Sequence, residues 1–520
     1  MGAMPRRLPH PLWLAVLLAG FLYFYGLTTT GLLGPDEPRY AAVAREMVRS
    51  ADWVTPRLWG EPWFEKPPLL YWMTAFGFRL GLGPELAPRL PVAALALVFL
   101  GFYWWILRRE FGTRPAWYAV LILGTSAGWA GFSQTGVTDM PLTVTFSAAM
   151  LLSLPWIAKG DRRPLPFTGA LLGLAVLAKG LVPIVLALPL LLCAVRKGRP
   201  WPAGRDESGP APAAKTAGAT SLLHNLQGRL AGLFSWRVAV PFLIIALPWY
   251  ILCYLRNGRA FLEVFFWQQQ FGRFTSPALK HSQPWWFYIP VLLAGLLPWT
   301  PLAALLARRG NWGDPRRVFL LVWVLFGLLF FSVAVNKLPG YVLPLLPPLC
   351  ALVGINLDAK RELGWAPAAL IGVCALLLVL FPIAAHILPE AVASGLRRAL
   401  ERPLEWSLLL PVGVAVLVWM VARRGRRLTA VAMLAVAATA GILWLKATAL
   451  PEVDRRDSVR RLWREIEARR ADVCVHALNR DARYGLNYYS GEPLPDCAAE
   501  SRPLAIHQDS GEPPYVADSH

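Results

Sequence analysis

Residues 6–40 read Arg6-Arg-Leu-Pro-His-Pro-Leu-Trp-Leu-Ala-Val-Leu-Leu-Ala-Gly-Phe-Leu-Tyr-Phe-Tyr25-Gly-Leu-Thr-Thr-Thr-Gly-Leu-Leu33-Gly-Pro-Asp-Glu-Pro-Arg-Tyr40. A basic pair precedes an uncharged run, and acids and a base gather where the run ends. Leu12–Leu33 reaches the roughly twenty residues needed to cross about 30 Å of hydrocarbon. No small-residue cleavage site follows the run, which predicts a retained first span rather than a removed signal peptide. Similar runs recur almost to Leu450. Over 520 residues the chain is 56% apolar and 16% charged, with mean hydropathy +0.44. A set of soluble domains should hold about a quarter charged residues, so the composition points to an all-α polytopic membrane protein. The net charge of +20 rests on 52 Lys and Arg. They punctuate the apolar runs instead of forming one face, which excludes a nucleic-acid footprint and leaves membrane lipids as the charged surroundings. The 24 Trp fit the same picture, since amphipathic rings collect at membrane boundaries.

Placing short Lys/Arg-dense loops on the inner side gives a consistent path of about thirteen spans, with the N-terminus inside. Arg108, Arg109, Arg114, Arg162, Arg163, Arg308, Arg309, Arg316, Arg317, Lys360, Arg361 and Arg423–Arg427 fall inside. The first outer loop covers 34–89, and a Gly/Ala/Pro-rich inner linker covers 196–237. Residues 1–450 form the membrane part. Residues 451–520 carry ten Lys/Arg, thirteen Asp/Glu and strand-like pieces such as Val473–Leu478, predicting a small outer α/β domain. Cys474 and Cys497 could pair there or stay free, while the other four cysteines lie in apolar runs as packing residues.

Ionisable groups near membrane depth are costly, so their positions mark what the protein needs. The densest set is in the first outer loop: Asp36, Glu37 and Arg39, then Glu65 and Lys66. Asp36 reads as the N-cap of a short amphipathic helix with Tyr40, Val43, Ala44 and Met47 on one stripe. The second acid, Arg39 and the Glu65-Lys66 pair favour a site over a simple cap. After Lys66-Pro-Pro68 the uncharged run Leu69–Phe78 is too short to span and should lie along the interface. Its N-terminal end and the Lys66 ammonium would suit a phosphate at headgroup depth, or Lys66 could simply snorkel to water. Further outer turns carry Asp139, Lys179, Arg273, and Lys337 with Tyr341.

No nucleotide-binding glycine loop, zinc-peptidase helix or nucleophile elbow is present. An outward-facing enzyme then needs an activated substrate, and a membrane offers sugar linked to polyprenyl phosphate. Lys66, Arg273 and Lys337 could hold the phosphate and stabilise charge on the leaving oxygen. Asp36 or Asp139 could serve the incoming nucleophile. A one-step displacement inverts the anomeric centre. These residues demand no cofactor, and a divalent metal stays an open alternative. A transporter should place acids in mid-span on broken helices, which this chain does not.

Gly34-Pro-Asp-Glu-Pro-Arg-Tyr-Ala41 and Phe64-Glu-Lys-Pro-Pro-Leu69 with Tyr71-Trp72 resemble two motifs of the first periplasmic loop in GT-C membrane glycosyltransferases. The resemblance is closest to the bacterial 4-amino-4-deoxy-L-arabinose transferases of lipid A, and more distant to the protein O-mannosyltransferases. Thr138-Asp139-Met-Pro, Ala178-Lys-Gly180, Gly272-Arg-Phe274, Pro284-Trp-Trp-Phe-Tyr288 and Lys337-Leu-Pro-Gly-Tyr341 extend it over the first 350 or so residues. It implies a GT-C fold in a bacterial inner membrane, with the active site and C-terminal domain periplasmic. It also implies inverting transfer from undecaprenyl phosphate to lipid A or another envelope glycan. Asp36 and Asp139 become candidate catalytic carboxylates, with Asp36 either a base or an orienting group. Lys66, Arg39, Arg273, Lys337 and Tyr341 become donor-phosphate ligands, and Glu37, Glu65 and Lys179 supporting residues. Trp267-Gln-Gln-Gln-Phe-Gly-Arg-Phe274 departs from the family's acidic and histidine pattern there, leaving sugar and acceptor open. The alternatives are a protein O-glycosyltransferase and, in another class, a lipid-linked sugar transporter or flippase.

Overall fold

The computed structural model describes residues 17, 20–190, 236–272, 282–307, 313–359, 366–394, 396–401, 403, 410–509 and 512–518. The 196–237 linker lies outside them save its last two residues, as do the start of the first apolar run, Cys193 and Arg273.

Among the described residues, seven helices are long and apolar enough to cross a membrane: Leu86–Phe111, Asp139–Lys159, Trp236–Gln269, Pro315–Val333, Pro339–Asp358, Ala366–Leu388 and Arg427–Arg456. A bent pair, Tyr288–Gly295 and Thr300–Ala307, turns through 115° and would make an eighth. Leu165–Lys179 and Pro411–Arg423 are apolar but shorter. Several expected runs are thus divided; residues 113–132, for instance, form two helices, Thr113–Gly124 and Ala127–Phe132. At that break the Thr125 and Ser126 hydroxyls donate to the backbone oxygens of Leu121 and Leu123, competing with helix continuation.

Small residues set how closely these helices approach. Gly169 and Gly173 lie four residues apart on Leu165–Lys179, against Trp236–Leu262. A Cβ on Gly169 would fall 2.2 Å from the Val238 carbonyl oxygen, and one on Gly173 2.9 Å from that of Phe242. This is the small-xxx-small packing of membrane helices, where no hydrophobic drive separates lipid from protein.

Contacts between loops sort by the side to which charge assigned them. On the outer side Arg256 meets Asp52 at 2.7 Å, the Gly136 N–H donates to Glu37 at 2.9 Å, and Lys337 donates to the Gln283 carbonyl at 3.0 Å. On the inner side Arg316 pairs with Glu110 at 3.3 Å, and Arg427 donates to the Leu357 carbonyl at 3.3 Å.

In the first outer loop, α1 (Asp36–Ser50) and α2 (Leu69–Arg79) flank a hairpin, β1 (Arg57–Leu58) with β2 (Glu61–Pro62). α2 has the extent expected of an interfacial helix, with Phe76 61% exposed on a segment about 16 Å long. Asp36 is not the N-cap of α1: Pro35 occupies that place, and the Asp36 carboxylate turns to Arg39 one turn on.

The helix from Arg427 runs through Pro451 to Arg456, so the change from apolar to polar chain falls inside one continuous helix. Beyond it β3 (Val473–Ala477), β4 (Leu504–His507) and β5 (Tyr515–Asp518) form a three-stranded sheet, parallel then antiparallel. Val459, Trp463, Ile466, Leu486 and Ile506 share its core, and Cys474 is disulfide-bonded to Cys497. Cys253, Cys350 and Cys374 are free and buried. α3 (Arg480–Ser490) docks this unit on the first outer loop: Tyr488 Oη donates to the Pro84 carbonyl at 2.7 Å and Tyr489 Oη to Glu85 at 3.1 Å.

Candidate functional site

The motif residues of the first loop form a row of alternating charge. Lys66 Nζ lies 3.2 Å from Glu65 Oε1, Glu65 Oε2 lies 3.0 Å from Arg39 Nη2, and the same Arg39 nitrogen bonds Asp36. Spacing brings Asp36 and Arg39 together on one face of α1, since residues three apart on a helix are neighbours. Glu65 and Lys66 lie in a bend after β2, and Pro67-Pro68 lead directly into α2. Arg39 is 2% exposed and Glu65 4%, while Asp36 keeps 42% of its side chain open. Burial alone would lower the Arg39 pKa, but Glu65, Tyr40 and Asp36 together raise it, so the guanidinium stays charged.

A second pair faces this row. Lys179, the last residue of its helix, puts Nζ 2.6 Å from Asp139 Oδ1 and 4.5 Å from the centre of the Tyr341 ring. Asp139 opens the helix Asp139–Leu152. Cation and anion therefore each sit at the helix end whose dipole favours them. Gly340 makes the approach possible, because a Cβ there would lie 2.6 Å from Asp139 Oδ1.

Lys66 and Lys179 open onto one cavity. Its polar lining is completed by Gln269, Asn336 and Tyr341, and its apolar lining by residues such as Leu142, Val182, Phe330 and Phe331. Gln269 Oε1 is buried there without a hydrogen-bond partner. Two cations beside an apolar wall suit a phosphate that carries a hydrocarbon chain.

Several expectations change with the geometry. Arg39 does not line this cavity: its Nη2 serves two carboxylates and its guanidinium lies within 5.6 Å of the Tyr40, Trp63 and Tyr484 ring centres, a place that suits orienting Asp36 and Glu65. Lys337 is 5% exposed and donates to the Gln283 and Ala334 carbonyls, so its neighbours Asn336 and Tyr341 reach the cavity instead. Burial pushes the Lys337 ammonium below its usual pKa. Glu37 is consumed by structure, accepting from Arg89 and from the Leu33 and Gly136 N–H groups. Arg273 lies outside the described residues. Sequence reading missed Gln269, Asn336 and Tyr484. Asn336 had a signal, standing beside Lys337 in the same outer turn; Tyr484 had none.

Every carboxylate of the site is already held by a cation, and no group of three His, Cys, Asp or Glu side chains converges among the described residues. The donor set therefore does not fit a metal cage.

Residues 65–203 match the family model of dolichyl-phosphate-mannose-protein mannosyltransferases. The chain is 34% identical over 370 residues to an undecaprenyl phosphate-alpha-4-amino-4-deoxy-L-arabinose arabinosyl transferase of Pseudomonas aeruginosa, covering 68% of this chain and 60% of that one. A relative of the same name from Edwardsiella ictaluri is 32% identical, covering 71% and 65%. The matched region thus spans about three fifths of the length of such curated relatives. The crystal structure of ArnT from Cupriavidus metallidurans bound to undecaprenyl phosphate superposes with a TM-score of 0.72 at 26% identity, covering 95% of this chain and 92% of that one. In motif order and fold the chain is thus similar to the GT-C membrane glycosyltransferases, the family to which these relatives belong.

Proposed function

We propose that this protein is an inverting glycosyltransferase that moves a sugar, most simply 4-amino-4-deoxy-L-arabinose, from undecaprenyl phosphate to lipid A or a related envelope glycan. The observation that carries the reading is the cavity in which Lys66 and Lys179 stand beside Leu142, Val182 and Phe331. A lipid phosphate is the ligand whose two halves fit those two linings. The names of the relatives supply the sugar and lipid.

In this reading the bond from the anomeric carbon to the phosphate oxygen breaks, and the electron pair leaves with the lipid phosphate. Lys66 and Lys179 stabilise the charge that develops there, and Asn336 and Tyr341 orient the phosphate. Asp36, the most open carboxylate of the row, faces the nucleophile. A phosphate acceptor needs little deprotonation, so Asp36 would orient it; a hydroxyl acceptor would use Asp36 as base. Asp139 holds Lys179 in place. The loops that build the site share one side of the membrane, assigned to the periplasm of a bacterial inner membrane, with residues 451–520 as a periplasmic domain.

The test is transfer by purified protein given the lipid-linked aminoarabinose and lipid A. Asp36→Asn should abolish product, and full activity in that variant would remove the role of Asp36. Loss of transfer with a lipid acceptor but retention with an unfolded polypeptide would favour a protein O-glycosyltransferase. Movement of donor across vesicles without product would favour a flippase.

A further inference from the structure

Arg39 is the hub of the charge row, yet its own hold is incomplete. One nitrogen, Nη2, serves both Asp36 and Glu65, while Nε is buried with no hydrogen-bond partner. Hydrogen bonds at one corner leave a planar group free to rock about that corner. Three aromatic rings limit the rocking, with centres 5.4 Å (Tyr40), 5.6 Å (Trp63) and 5.3 Å (Tyr484) from the guanidinium carbon. Two of the rings belong to the first outer loop. The third comes from α3 in the C-terminal unit.

Tyr484 is itself fixed from both directions. Its ring stacks on Trp59 at 5.7 Å and 16°, so the hairpin of the first loop backs it. Farther along α3, Arg45 lies 4.0 Å over the Tyr488 ring and donates to the Tyr488 carbonyl at 2.7 Å across 443 residues of chain. Tyr489 Oη also accepts from the Leu32 N–H at 3.1 Å. Tyr484 and Tyr488, four residues apart, share one face of α3, and Tyr489 makes its contacts from the adjoining flank of the same helix. Its docking delivers a ring to the buried arginine behind Asp36.

We propose that Tyr484 is a positioning residue for the transfer site: its π face holds the Arg39 guanidinium in the plane that reaches Asp36 and Glu65, so that the C-terminal unit completes the catalytic centre. The proposal rests on the glycosyltransferase reading for its kinetic readout. Through Glu65 the hold extends to Lys66, and so to the phosphate cavity.

The experiment uses the full chain. Tyr484→Met keeps an unbranched apolar side chain and removes the π face; it should lower kcat about tenfold with KM for the lipid-linked sugar within about twofold, and Tyr484→Phe should restore the rate. Phenylalanines carrying one and then three ring fluorines at position 484 keep shape and fold while draining the ring of electron density. Transfer should fall stepwise along that series, and a flat series overturns the proposal because a space-filling role would not follow electron density. In an Arg39→Lys background Tyr484→Met should cost little more, and an undiminished cost also overturns it. Affinity for undecaprenyl phosphate is measured in parallel, with about a threefold loss expected for Tyr484→Met. If the unaltered protein transfers no sugar, the glycosyltransferase reading falls, and this affinity decides the inference alone: no change refutes it.

Discussion

Arg89 grips Glu37 with two hydrogen bonds, 2.7 Å from Nε and 2.6 Å from Nη2, across 52 residues of chain. The remaining guanidinium nitrogen and Nη2 also donate to the carbonyls of Leu27, Thr30 and Gly31 at 2.8–2.9 Å. Both side chains are under 5% exposed. This knot joins the end of the first apolar run, the start of α1 and the helix Leu86–Phe111.

Removing one partner leaves a buried charge unpaired, which typically costs about 3–5 kcal/mol. Glu37→Ala should therefore lower the thermal midpoint of the detergent-solubilised protein sharply, while Asp36→Asn, at the more open neighbour, should shift it little. Equal midpoints for Glu37→Ala and the parent would remove the knot from the architecture.

Gly340→Ala probes the approach of Asp139 to Lys179. A methyl group 2.6 Å from Asp139 Oδ1 forces the carboxylate or the chain to move. Overpacking of this kind costs about 1–3 kcal/mol. The expected result is a transfer rate down by tenfold or more with the protein still monodisperse; an unchanged rate would remove the Asp139–Lys179 approach from the site.

Lys179→Met removes a cation from the phosphate cavity and frees Asp139 beside it. Binding of undecaprenyl phosphate, followed by intrinsic tryptophan fluorescence, should weaken at least tenfold, equivalent to about 1.4 kcal/mol. Lys179→Arg should retain most of the affinity. Unaltered binding in the methionine variant would move the phosphate elsewhere.

Asp52 links the first outer loop to Arg256. Partial burial would raise its pKa, but N–H bonds from Thr55 and Val54 and the Arg256 charge outweigh that and hold it below the usual carboxylate value. A depressed folded pKa contributes stability above the unfolded value near 4 and loses it as pH falls through the folded value. Arg256 is 55% exposed, so screening keeps the pair's worth near 1 kcal/mol or less. Asp52→Asn should therefore cost stability at pH 7 and much less at pH 3, read by differential scanning fluorimetry.

The expense of charge near a membrane made part of this site legible in the sequence. Asp36, Glu65, Lys66, Asp139 and Lys179 stood out because apolar runs surround them, and they do converge. The short run after Pro68 announced α2 by its length. Partner choice was not legible, because a side chain's neighbour can lie anywhere along the chain. Glu37 looked like a second site acid beside Asp36, but Arg89 and two backbone N–H groups use it up. Lys337 looked like a phosphate ligand until two carbonyls claimed its ammonium. Arg39 read as a donor-phosphate ligand and is enclosed by rings, one of them from α3. The polar tail carried no pattern that tied Tyr484 to the first loop.

Among the described residues of the row and its facing pair, three carboxylates answer three cations, so their charges balance. On the proposed reaction, a phosphate entering the cavity competes with Glu65 and Asp139 for Lys66 and Lys179. The same acids stand ready to take the lysines back once the sugar has gone. On the proposed reaction, turnover is an exchange of ionic partners, and the carboxylates that weaken the first grip on the donor are those that would free the spent lipid.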